Sequence, residues 1–69
     1  MKNEIIFIVE DSLEEGFEAK ALGHSIFTQA DSFDELKENI REAVAVHFDI
    51  ENMPRVIRVH YVKEEIIAA

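Results

Sequence analysis

The stretch ADSFDELKENIREAVAVHF, residues 30–48, decides the fold. Phe33, Leu36, Ile40, Ala43, Val44, His47 and Phe48 recur at helical spacing along one side, and Asp34, Lys37, Glu38, Arg41 and Glu42 occupy the other. The spacing predicts a helix that opens just after Asp31. Ser32 and Glu35 fit the S-x-x-E capping box, in which the serine oxygen accepts from the amide of Glu35 and the glutamate reaches back. Asp34 and Glu35 also suit the positive end of the helix dipole. A helix of this length with one apolar stripe is marginal alone in water, so the remaining residues must supply the surface that covers it.

On the N-terminal side three short segments read as strands. EIIFIVE, residues 4–10, is a β-branched run bounded by acids, with Ile6 and Ile8 pointing one way and Ile5, Phe7 and Val9 the other. Apolar character on both faces belongs to a central strand. After the turn closed by Gly16, FEAKAL (residues 17–22) alternates, with Phe17, Ala19 and Ala21 on one face and Glu18 and Lys20 on the other. Gly23 marks a second turn, and HSIFTQA (residues 24–30) reads as a third strand. Connections this short force an antiparallel meander, because a parallel pairing needs a crossover.

Beyond the helix, DIENMP (residues 49–54) is expected to end it, since Pro54 cannot continue it and holds Met53 extended. RVIRVHYV, residues 55–62, is a fourth strand, with Ile57, Val59 and Tyr61 on one face and Val56, Arg58, His60 and Val62 on the other. KEEIIAA reads as a last turn or a frayed end. The expected architecture is a two-layer α+β domain of order β-β-β-α-β, one domain over residues 1–69. One helix can shield only one sheet face. The other, carrying Ile6, Ile8, Val56, Arg58, His60 and Val62, is therefore the expected interaction face.

Composition narrows the function. Sixty-nine residues leave a thin stability margin, and with no cysteine there is neither a disulfide nor a thiolate metal site. Oligomerisation to a homodimer or higher assembly would complete the core. Fifteen acids against seven lysines and arginines give a formal charge of −8, which repels nucleic-acid phosphate and anionic lipid and attracts basic partners. Arg55, Arg58 and Lys63 form only a small basic patch. No signal peptide or membrane-length apolar run is visible, so the expected compartment is the cytoplasm.

Catalytic equipment is missing from the pattern. His24, His47 and His60 lack the short spacings of zinc motifs, and structural or solvated roles are expected of them. Neither Ser12, Ser25 nor Ser32 lies in a glycine-rich elbow, and Gly16 and Gly23 form no phosphate cradle. The element order resembles the start of the ribonuclease H fold, whose nucleases hold two metals with acids on strand one, the helix and strand four. Here Ile5–Val9 fill the first of those positions and strand four has no acid before Glu64. Glu10, Asp11, Glu14 and Glu15 read as a solvated turn. Neither an enzyme nor a cofactor is expected.

GFEAKALGHSIFTQADSFDELKENIREAVAVHF is similar to the HicB antitoxin family. That family carries a G-x-x-A strand, a strand ending near Q-G-D-T, and a helix opening x-x-E-A-x-x-N-x-x-E-A. The matching positions are Gly16, Ala19, Gln29, Asp31, Ser32 in the capping position, Glu35, Asn39, Glu42 and Ala43. The P-G-x element is replaced by LGHS, which keeps only Gly23, and Ala30 stands between Gln29 and Asp31 where the family has glycine. The resemblance implies a partial ribonuclease H-like domain that binds a small basic HicA-like ribonuclease toxin and occludes its RNA-binding surface. The DNA-binding segment that usually follows this domain in HicB proteins is not seen after strand four, so direct DNA binding is not expected. The alternative expectation is a homo-oligomeric structural domain with no toxin partner.

Overall fold

The capped helix forms where the spacing places it. In a computed structural model that describes residues 3–12, 14–63 and 66–69, helix α1 runs Phe33–His47. Ser32 is extended at the N-cap, and its Oγ accepts from the Glu35 amide at 3.1 Å. The return bond from Glu35 is absent, so only half of the expected box forms. Leu36, Ile40 and Val44 are buried, while His47 is exposed and lies off the packed stripe.

The helix ends at His47, just ahead of the segment 49–54 expected to terminate it. Phe48 already turns extended at φ −107°, ψ 146°, and its amide closes the last turn on the Val44 carbonyl. Its ring stacks edge-on against His24 and His47, with centroids 5.0 and 4.9 Å away. The C-cap thus falls at Phe48, six residues before Pro54. A short 3₁₀ turn, Ile50–Asn52, follows, held by the Asp49 carboxylate accepting from the Asn52 amide. Met53 is extended before Pro54, as the proline requires.

The strands are β1 (Glu4–Asp11), β2 (Phe17–Ala21), β3 (Phe27–Ala30) and β4 (Val56–Val62). They form one sheet in the order β3-β2-β1-β4, antiparallel through the meander and parallel between β1 and β4. The fold is therefore α+β with a four-stranded mixed sheet. β1 is central, as its two apolar faces demand. β2 is one residue shorter than its alternation suggests, because Leu22 enters the turn to Gly23. β3 is shorter still: His24, Ser25 and Ile26 lie outside it, although Ile26 is buried and its carbonyl accepts from Ala21. β4 begins at Val56, since the Arg55 amide is drawn onto the Asn3 carbonyl before the ladder starts. Lys63 and residues 66–69 have no regular structure; Glu64 and Glu65, in the expected tail, lie outside the described residues.

The core is one layer thick. Ile5, Phe7 and Val9 of β1, Ala19 and Ala21 of β2, Ile26 and Ala30 meet Leu36, Ile40 and Val44 of α1. Small alanines on β2 let the helix approach, and α1 lies nearest β3 and β2. It is thus off-centre, and Ile57 and Val59 on the helix side of β4 are only partly covered. Gly16 is a second close approach. It has φ +87°, and any Cβ there would run into the backbone oxygen of Ala30.

Candidate protein-interaction surface

Sheet register builds the face opposite the helix row by row, because side chains alternate and paired residues share a face. Across β3, β2, β1 and β4, one row reads Gln29, Glu18, Glu10, Val62, and the next Phe27, Lys20, Ile8, His60. Below them Ile6 lies beside Arg58, and Glu4 beside Val56. All six expected interaction residues, Ile6, Ile8, Val56, Arg58, His60 and Val62, therefore lie on one face. Phe27 joins them and is 58% exposed; Val56 and Val62 are 48% and 49% exposed. Ile8, Glu10, Glu18, Lys20 and Phe27 line a shallow depression of about 120 Å³ on this face.

The charges on this face are arranged unevenly. Arg58 Nε donates to the Glu4 carboxylate at 2.9 Å, so the cation expected to mark a basic patch is neutralised within the chain. At the other end Glu10 and Glu18 face each other directly across β1 and β2. Like charges in that position repel, and no ion pair reaches either among the described residues. Topology adds further acids to this end. Glu14 and Glu15 follow β1, and Asp31, Asp34 and Glu35 open the helix beside them; Glu14, Glu15, Asp31 and Glu35 share one groove. The acids are thus concentrated at one end of the molecule.

The same end carries an aromatic cluster on the helix side of the sheet. Phe17 packs edge-on against Phe33 and Tyr61, each with centroids 5.8 Å apart. Tyr61 Oη donates to the Asp11 carboxylate at 2.5 Å. That hydrogen bond, with partial desolvation and the nearby negative charge, raises the phenol above its ordinary pKa. Sequence reading placed Tyr61 on the correct face but not in this cluster, whose members are far apart in the chain.

The family-pattern residues turn out to be largely structural. Gly16 admits the Ala30 backbone, Ala19 is buried against the core, and Ser32 caps the helix. Asn39 Nδ2 donates to the Gln29 carbonyl at 3.1 Å, tying α1 to β3. Ala43 is half-buried beside the core, whereas Asp31, Glu35 and Glu42 expose their side chains. Gly16, Ala19, Ser32 and Asn39 thus serve to seat the helix on the sheet.

The opposite end of the sheet opens into a cleft of about 850 Å³ that includes Glu4, His24, His47 and Phe48. The His24 and His47 rings meet edge-on with centroids 5.7 Å apart, a pairing no sequence spacing announces. Among the described residues, no three His, Asp or Glu side chains are grouped to hold a metal ion. No helix among them is long and apolar enough to cross a membrane.

Fold and surface together define a small α+β domain with one helix-covered and one uncovered sheet face. The chain belongs to the UPF0150 family. It is 42% identical over 67 residues to a UPF0150 protein of Thermotoga maritima, a match covering 97% of this chain and 94% of the relative. It is 50% identical over 52 residues to a UPF0150 protein of Archaeoglobus fulgidus, covering 75% of this chain and 77% of that protein. No family model matches the sequence, and no solved structure matches the fold.

Proposed function

We propose that this chain is a HicB-like, partial ribonuclease H-like protein-binding domain that neutralises a small basic ribonuclease toxin by covering its RNA-binding surface. It acts by occlusion and performs no catalysis. The supporting observation is the uncovered sheet face, where apolar Phe27, Ile6, Ile8, Val56 and Val62 run toward the opposed carboxylates Glu10 and Glu18. An arginine or lysine of a basic partner would relieve that repulsion, while the apolar side chains would lose water on contact. The acid-rich end would steer the encounter, and the face would hold the complex. The same surface charge disfavours direct DNA binding.

The test is titration with a small basic HicA-like ribonuclease, with complex formation and residual ribonuclease activity followed across a salt series. Replacing Glu10 and Glu18 with glutamine should slow association at low salt and flatten the salt dependence. Ile8→Lys should speed dissociation at all salt concentrations. Failure to form a complex even at low ionic strength would remove the proposal.

A further inference from the structure

We infer that β4 is the edge through which two copies of this chain join, antiparallel about a twofold axis at Val59, to make one continuous eight-stranded sheet. The two sheet edges differ. β3 is short, has α1 close by, and has the Gln29 carbonyl already occupied by Asn39. β4 is seven residues long and carries no proline, and among the described residues nothing pairs with its outer side. Its outward N–H and C=O groups form a template that another extended strand can complete.

Charge and register select the same occupant. In a chain of fifteen acids, Val56–Val62 contains none, so β4 can lie beside a second β4 without opposing carboxylates. A twofold axis requires antiparallel pairing, which sends the two acid-rich ends to opposite extremes of the joined sheet. With Val59 opposite the partner's Val59, Ile57 meets the partner's Tyr61, Val56 meets the partner's Val62, and Arg58 meets the partner's His60. Arg58 arrives already paired with Glu4. The like-charged Arg55 and the partner's Lys63 then face each other beyond the strand ends, where both are exposed and solvent screens their repulsion.

A specific interface buries roughly 1,200–2,000 Å² in total, more than a strand pair alone supplies, so flanking side chains must contribute. They are present. Val56, Tyr61 and Val62 are half-exposed along the edge. The antiparallel arrangement also brings the end of β4 that leads to Ile66 and Ile67 toward the partner's 3₁₀ turn. That turn carries Ile50. These three are exposed at 90%, 85% and 91%. Edge pairing shares Val56 and Val62 with the proposed toxin face but leaves Ile6, Ile8 and Phe27 open, so dimer formation and toxin binding are measured separately and can fail separately.

The absence of cysteine makes the register directly testable in the full chain. Val59→Cys places one thiol opposite its own copy, within the Cα separation that disulfides accept. Mild oxidation should give a covalent dimer rapidly from this variant and slowly from Val56→Cys, Val62→Cys or the β3 control Phe27→Cys. The Val56→Cys/Val62→Cys double variant should recover the fast rate. Sedimentation velocity of the unaltered chain should show a concentration-dependent dimer. Val62→Lys should weaken that dimer by about tenfold or more, since an unpaired ammonium would be desolvated, while circular dichroism shows the fold intact. A strictly monomeric chain, fastest cross-linking at Phe27→Cys, or equal rates at every position would overturn the inference.

Discussion

Single side chains here show how much a neighbour distant in sequence can decide. Tyr61 shares the helix-side face of β4 with Ile57 and Val59 by its pattern, yet its hydroxyl meets Asp11 from the adjacent strand. The bond stabilises the protonated phenol, so the folded pKa lies above the unfolded value of about 10. This contribution to stability is complete below the unfolded value and is lost as pH rises through the folded one. Tyr61 is the only tyrosine and there is no tryptophan, so phenolate absorbance reports it cleanly. We expect the folded protein to titrate at higher pH than the Asp11→Ala variant. Coincident curves would show that the bond is not formed in solution. Glu10 and Glu18 illustrate the converse: each is an ordinary surface acid in the sequence, and only strand pairing turns them into a repelling pair.

At the level of elements, α1 was the most legible because two independent signals agree: the apolar stripe and the Ser32 cap. The energetic weights of those signals differ. Ile40 is fully packed between α1 and the sheet, so Ile40→Ala should cost about 2–5 kcal/mol in denaturant melts. Ser32→Ala removes one hydrogen bond of a half-formed box and should cost about 1 kcal/mol. The reverse ordering would mean that capping, not burial, holds the helix. The other helix end was also legible: DIENMP follows directly on the His47 and Phe48 turn where the helix stops, and the Phe48 contact with His24 adds a tertiary lock there. Strand ends slipped, because Leu22 and Ile26 continue an alternating pattern but serve the turn between β2 and β3.

Across the whole molecule, the distribution of charge matters more than its sum. The net charge of −8 is known from composition, but the meeting of the β1–β2 turn, the start of β2 and the start of α1 concentrates acids at one end. Self-repulsion there should weaken the fold at low ionic strength. Raising salt from about 0.01 M to about 0.15 M shortens the screening length from about 30 Å to about 8 Å. The thermal midpoint should therefore rise by several degrees over that range, and rise less in Glu18→Gln. A midpoint indifferent to salt would mean that the acids are too well solvated to interact.

The sequence by itself determined the order of elements, the centrality of β1, the helix cap and the division of each strand into two faces. Those features follow from local periodicity and short turns, which act over a few residues. Only tertiary structure decided the off-centre seat of α1, the pairing of Arg58 with Glu4, the aromatic cluster around Tyr61, the acidic end and the edge position of β4. Each depends on which distant segments become neighbours, and that is set by how the whole core packs.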